Sequence, residues 1–330
     1  MERVFGLEEK HTGVDFYSNV KSSDVQWLWY PYIPCGKITI LQGDPGEGKS
    51  TFIIHVAAIL TRAGVLPDGC QVKEAATVIY QCSEDSMSDT IKPRLEAAGA
   101  DCSRVAFIEE GDDALTLDDE RIDQALEQTG AKLLVLDPIQ AFIGRDGDMQ
   151  SAVRMRKIMR RLSFMAESHN CAVVLIGHMN KGAGNNNLYR GLGSIDIAAN
   201  ARSVLMVSKD VQEPWKRYVF PIKVNLAPEG DPIGFGFDKE KGFFWLGKCQ
   251  VNVNELMAAR QTTSAKKEMA IGYLQEILAE HDIASKEIFE QMKVLGISRR
   301  TAQEAKKEAG IQAYKKGNAW YWHFDMGDSI

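Results

Sequence analysis

The chain has 330 residues, 45% of them hydrophobic and 25% charged, with a formal net charge of −6. These values suit a globular protein with room for one large α/β domain and a smaller second one, and they exclude both a disordered chain and one coated in positive charge. Any nucleic-acid surface must be a local basic groove.

The six cysteines, Cys35, Cys70, Cys82, Cys102, Cys171 and Cys249, form no C-x-x-C pair. Free thiols in a reducing compartment are therefore expected, rather than disulfides or zinc. Residues 1–9 contain no apolar signal core and no run reaches membrane-spanning length, so a cytoplasmic protein without a membrane partner is expected.

In chain order, residues 1–36 read as a lead-in that ends in Trp27, Trp29, Tyr30, Pro31, Tyr32 and Pro34. This composition predicts an irregular segment packed on a surface, first of all the chain's own core and otherwise a neighbouring subunit. Residues 38–41 form a short apolar strand and residues 52–60 an amphipathic helix. Between them Gly43, Asp44, Pro45, Gly46, Glu47, Gly48, Lys49 and Ser50 fit G-x-x-x-x-G-K-[ST], with Thr51 following. The glycines let backbone N–H groups turn inward onto phosphate oxygens. Lys49 supplies a cation for the β- and γ-phosphates and Ser50 a hydroxyl for Mg²⁺, so ATP and Mg²⁺ are the expected cofactors. The start of the helix adds unpaired N–H groups and a positive dipole end.

Residues 76–81 predict a second buried strand, closing on Cys82, Ser83, Glu84 and Asp85. Carboxylates at the C-terminal end of such a strand lie on the ligand-binding edge of a parallel sheet. Glu84 is the candidate to polarise an attacking water; Asp85 is the fallback and also suits a helix cap. Residues 105–108 predict another strand and residues 117–128 an acidic helix. Leu133, Leu134, Val135 and Leu136 then lead into Asp137, the expected magnesium carboxylate. A long helix over residues 149–167 carries Arg154, Arg156, Lys157, Arg160 and Arg161, read as a solvated face. Residues 172–177 form a strand that delivers His178 to the same edge, where it can sense a γ-phosphate. The loop beyond is rich in glycine and asparagine and holds Lys181, Tyr189 and Arg190, charges for phosphate and a ring for base stacking.

From Ser203 onward four strands are expected, at residues 203–207, 217–224, 233–237 and 242–246, read as antiparallel additions to the sheet. Arg202 and Lys223 flank them. The ATP-binding domain is thus assigned to residues 37–249, a linker to 250–266 and a small domain to 267–330. In the last, two helices precede a third over residues 299–309, with Ser298 as N-cap and Gly310 as stop, and two short strands surround Gly317 and Asn318. Helix, helix, helix and hairpin is winged-helix order. Arg299, Arg300, Lys306, Lys307, Lys315 and Lys316 place positive charge on the third helix and the wing, suited to DNA or to a docking protein.

With residues 43–50, Glu84, residues 133–137 and His178 in this order, the chain resembles RecA-fold ring ATPases, most of all the RepA-like hexameric replicative helicases and related AAA-type ATPases of plasmids, phages and mobile elements. The resemblance implies an α/β, RecA-like P-loop core with a mixed, mainly parallel sheet. It further implies a homo-oligomer, expected to be a hexamer, with ATP between subunits, single-stranded DNA in its channel and other replication proteins as partners. Under it Glu84 is the catalytic carboxylate, Lys49 and Ser50 contact phosphate and magnesium, His178 is the sensor, and Lys223 or Arg202 reaches the neighbour's ATP. Asn225 stands where such proteins often carry a second basic residue.

Overall fold

The computed structural model describes residues 15–144, 152–178, 195–238, 240, 242–279 and 281–324. The chain divides into two compact units, Met1–Val207 with Pro221–Gly230, and Ser208–Phe220 with Asp231–Ile330.

The first unit opens with a small antiparallel hairpin, β1 (Trp27–Trp29) and β2 (Ile33–Pro34). Trp29 and Tyr32 are 2% and 1% exposed, and the Trp29 ring stacks on Phe52 at 6.1 Å. The aromatic stretch is thus packed on the unit's own core. There follow β3 (Ile38–Gly43), α1 (Lys49–Thr61), β4 (Val78–Cys82), α2 (Lys92–Ala97), β5 (Val105–Ala106), α3 (Glu120–Thr129), β6 (Leu133–Asp137), α4 (Ala152–Ser168), β7 (Ala172–His178), α5 (Ile195–Asn200) and β8 (Ser203–Lys209).

These strands lie in the order β8–β3–β7–β6–β4–β5, all parallel. Every residue of β3, β4 and β6 is buried, as helices on both faces require. Ile38, Ile40, Leu134, Leu136, Val173 and Leu175 join Ile122 and Leu126 of α3 and Met155, Met159 and Leu162 of α4 in one apolar cluster. Each such side chain stabilises the fold by roughly 2 kcal/mol relative to exposure. The alternate strand positions face the other side, where α1 meets β3 and β4. The five cations of α4 are all exposed, so they form the solvated face expected of them.

Two local expectations are corrected. β8 is not antiparallel: Thr39 to Gln42 pair in parallel with Ser203 to Met206, and the strand is buried like its neighbours because the sheet continues beyond it with the strand over residues 216–224. The strand expected over residues 105–108 stops at Ala106, because the Gln81 side chain takes over the ladder. Its Oε1 accepts from Ile108 N at 2.8 Å and its Nε2 donates to Ile108 O at 3.1 Å. The stretch 250–266, read as a linker, has regular structure. It is helical from Val253, started by Asn252, whose side chain accepts from Asn254 and Glu255 N–H groups.

The second unit contains the first part of β9 (Lys216–Val224), through Phe220, with β10 (Ile233–Asp238) and β11 (Gly242–Lys248), all antiparallel. Phe235, Phe237, Phe243 and Trp245 make edge and stacked contacts at 4.8–6.3 Å across this meander. α6 (Val253–Ile277), β12 (Ile283–Ala284), α7 (Ser285–Val294), α8 (Arg299–Glu308), β13 (Gln312–Lys316) and β14 (Ala319–His323) complete it. Ser298 caps α8 as expected, accepting from Thr301 N at 3.1 Å. The hairpin is joined by β12 into a three-stranded sheet, β12–β14–β13, over a core of Ala270, Leu274, Ile288, Met292, Ala302 and Trp322. No helix among the described residues is long and apolar enough to cross a membrane. None of the six cysteines is in a disulfide.

Candidate nucleotide site

The C-terminal ends of the parallel strands form one edge. Gly43 is in register with His178, and Cys82 with Asp137. β7 alone separates β3 from β6, so at roughly 4.8 Å per strand spacing the ends of β3 and β6 stand about 10 Å apart. Three candidate groups therefore reach one edge from separate stretches of sequence.

At the end of β3 the chain turns sharply into α1. Gly46 and Gly48 adopt φ of +73° and +92°, and Gly48 is the N-cap of α1. Gly43 is required for a different reason, since a Cβ there would stand 2.6 Å from Val207 O of β8. Lys49 is 4% exposed, and its ammonium donates to Gly43 O at 2.9 Å and Asp44 O at 3.0 Å. The ammonium is thus held at the loop, beside the helix N–H groups. Pro45 and Gly46 are exposed, Asp44 and Ser50 half-buried, and Glu47 buried. Thr51 O binds His55 Nδ1 at 2.8 Å, and burial holds that imidazole below its ordinary pKa.

Asp137 is 5% exposed, and its Oδ2 accepts a 2.8 Å hydrogen bond from the Tyr80 hydroxyl of the adjacent strand. Burial foremost, then the charge of Asp137, pushes the Tyr80 phenol well above its ordinary value, so it donates at any physiological pH. Tyr80 is the functional side chain that pattern reading passed over. Its signal was a tyrosine inside a wholly buried strand, where a hydroxyl needs a partner. The donor set offered by Ser50 and Asp137 is oxygen only, which suits Mg²⁺. No group of three His, Cys, Asp or Glu side chains could hold a metal among the described residues.

The turn after β4 is tied down on both sides. Ser83 N donates to Asp137 O at 3.1 Å, and the Glu84 and Asp85 N–H groups point at the Cys82 sulfur. The two acidic side chains then separate. Asp85 is ion-paired with Arg94 at 2.6 Å, whereas Glu84 is exposed and its carboxylate has no hydrogen bond or ion pair among the described residues. His178 lies at the end of β7, in register with Gly43. Lys181, Tyr189 and Arg190 lie outside the described residues.

Arg202 and Lys223 sit at the other edge of the parallel sheet. Arg202 N donates to Ile38 O at the start of β3, and Asn225 N donates to Arg202 O, both at 3.0 Å. At about 3.3 Å per residue, β3 holds them roughly 17 Å from its own phosphate loop. Lys223 donates to the carbonyls of Ala198, Ala199 and Ala201 at 2.9, 3.2 and 2.8 Å, closing the C-terminus of α5. Burial and then Arg202 lower its pKa. Arg202 is exposed. In the second unit Arg300 pairs with Glu304 at 3.0 Å, while Arg299 lies over the Phe289 ring at 4.4 Å and Lys306 over Trp322 at 5.4 Å.

The chain was compared with known proteins and protein families. Over 149 residues the chain is 28% identical to the DNA repair protein RadA of Streptococcus pneumoniae, covering 44% of this chain and 31% of that protein. RadA of Mycobacterium tuberculosis is 26% identical over 148 residues, 44% of this chain and 28% of the relative. The chain therefore spans less than a third of the length of these relatives. Among solved structures, the RadB recombinase superposes with a TM-score of 0.46 at 19% identity, over 64% of this chain and 91% of that one. A second solved structure, an ATPase domain, gives 0.48 at 13% identity, over 64% and 84%. The AAA domain family model, AAA_25, matches residues 6–184, more than half of the chain. With its phosphate loop, its parallel strand order and this match, the chain belongs to the AAA domain family and has a RecA-like P-loop ATPase core.

Proposed function

We propose that the chain hydrolyses ATP and acts on DNA as a ring-forming translocase or helicase of the RepA-like kind, working in replication of a mobile element. The observation that carries this reading is the sheet edge that bears Lys49, the Tyr80-held Asp137 and Glu84, whose carboxylate has no partner among the described residues. The inward N–H groups of the loop and the Lys49 ammonium bind the β- and γ-phosphates. Ser50 and Asp137 would hold Mg²⁺, which would neutralise charge developing on the transferred phosphoryl group. Glu84 orients the attacking water, and its turn is anchored to the same strand end as Asp137. His178, in register with the phosphate loop, relays the γ-phosphate state to the loop beyond it.

A cation must come from a neighbouring copy, because Arg202 and Lys223 lie too far from their own loop. Lys223 is occupied as a helix cap, so Arg202 takes this role, in a homo-oligomer expected to be a hexamer. Residues 267–330 act as a winged-helix module for DNA or a replication partner, reached through α6. The relatives' name, DNA repair protein RadA, fits a protein that works on DNA.

One observation favours a second reading, an ATP-switched loader or initiator that does not unwind. With Lys223 committed to α5 and asparagine at 225, the basic pair expected near the neighbour's ATP is reduced to Arg202. Steady-state hydrolysis with and without single-stranded DNA, measured beside light-scattering mass, separates the two. Stimulated turnover in an oligomer supports the motor; slow turnover indifferent to DNA supports the switch. Glu84→Gln should bind ATP and hydrolyse it at least about a hundredfold more slowly, and wild-type turnover in that variant would remove Glu84 from its role.

A further inference from the structure

The second unit contains a groove of about 630 Å³ between α7, α8 and the β13–β14 hairpin. Its floor is aromatic, with Phe289 and Trp322 edge to face at 5.3 Å, and Trp322 is 4% exposed. Its rim is cationic: Arg299, Lys306 and Lys307 line it, and among the described residues no carboxylate does. Trp320 projects from the hairpin into the same lining and is 53% exposed. Lys315 stands directly opposite Trp320 in the ladder, and Ala313 opposite Trp322, so strand alternation puts Lys315 on the groove face. Lys316 and Tyr314 take the other face, where Tyr314 binds Asp282. Arg300 is turned to Glu304.

An exposed indole beside several cations, over an aromatic floor, matches a ligand that is anionic along one side and flat and apolar on the other. Nucleotides have that form, and the volume holds one or two of them. A duplex keeps its bases stacked and offers no free ring face to a tryptophan, whereas a single strand does. We propose that this groove binds single-stranded nucleic acid, one base stacking on Trp320 while phosphates run along Lys306, Lys307 and Lys315. The idea refines the reading of the C-terminal module as a nucleic-acid binder and rests on it. It divides the six basic residues of the third helix and the wing into Arg299, Lys306, Lys307 and Lys315, which serve the groove, and Arg300 and Lys316, which do not.

The test uses the full chain without ATP or Mg²⁺ and fluorescence anisotropy with a fluorescein-labelled oligothymidine of about twelve nucleotides and a duplex of equal length. Trp320→Ala should weaken oligothymidine binding roughly tenfold, and Trp320→Phe should recover most of it. Lys306→Ala should lower the salt slope by about 0.7, while Arg300→Ala and Lys316→Ala should match wild type. Circular dichroism melting confirms that each variant folds. If Trp320→Ala leaves oligothymidine binding unchanged, the stacking groove is wrong. If Lys306→Ala and Trp320→Ala weaken only the duplex, the groove assignment falls while DNA binding by the module stands. If Lys306→Ala, Lys307→Ala and Lys315→Ala change neither ligand, the module's nucleic-acid role falls as well and a protein partner takes its place.

Discussion

Replacing Tyr80 by phenylalanine keeps the ring, which is 1% exposed, and removes only the hydroxyl that donates to Asp137 Oδ2 at 2.8 Å. The acceptor is a carboxylate, 5% exposed, at the position proposed to hold magnesium. A buried hydrogen bond to a charged group contributes about 1.5–3 kcal/mol, so the first unit should lose about 2 kcal/mol of stability at pH 7. A double-mutant cycle with Asp137→Ala, read by urea unfolding, should return a coupling of that size. Freed of its donor, Asp137 should also hold the metal less well oriented. The Mg²⁺ concentration that half-saturates binding of a fluorescent ATP analogue should then rise several-fold, a readout independent of turnover. A coupling under about 0.5 kcal/mol, with unchanged Mg²⁺ dependence, would refute the positioning role of Tyr80.

Alkaline pH offers a second check. Burial pushes Cys171 up to about 12 from 9.0 and Tyr218 up to about 12 from 10.0, and Tyr80 is raised well above 10.0. In each case the folded form keeps a proton that the unfolded chain has lost. Stability should therefore be whole below pH 9 and fall by about 1.4 kcal/mol per pH unit per group, from pH 9 for Cys171 and from pH 10 for the tyrosines. Cys35, Cys82 and Cys249 are also raised from 9.0 by burial, so Cys171→Ala should leave the onset at pH 9 but make the fall above it shallower by about 1.4 kcal/mol per pH unit in a denaturation series, and an unchanged slope would contradict the account. Gly43→Ala brings a Cβ within 2.6 Å of Val207 O. It should cost about 1–3 kcal/mol and weaken nucleotide affinity in calorimetry, and a variant as stable as wild type would deny the close approach. If Arg202 acts across a subunit boundary, mixing inactive Arg202→Ala with inactive Lys49→Ala should restore part of the hydrolysis. No recovery in a confirmed mixed oligomer would argue against Arg202 in trans. Lys223→Ala should instead lower stability by about 1 kcal/mol through loss of the cap on α5.

What the sequence determined by itself is local or covalently contiguous. The glycine-lysine loop was legible because its chemistry is spelled within consecutive residues, and buried strands were legible as apolar runs ending in Cys82, Asp137 and His178. Ser298 as a cap and Gly310 as a stop were also readable, because capping acts over three or four residues. Only the tertiary structure decided what depends on neighbours distant in sequence. Parallel and antiparallel strands carry the same apolar run, so the direction of β8 emerged only from its pairing with β3. Helix propensity in residues 253–266 is unmarked by an apolar stripe, which hid the first half of α6. Glu84 and Asp85 are adjacent in the chain, and only Arg94 distinguishes them. Lys223 and the six C-terminal cations look alike as charges. Whether each caps a helix, pairs with a carboxylate or borders an aromatic groove depends on the groups that folding brings within hydrogen-bonding reach. Tyr80 illustrates the same limit, since it is an ordinary strand residue until strand pairing sets its hydroxyl against Asp137.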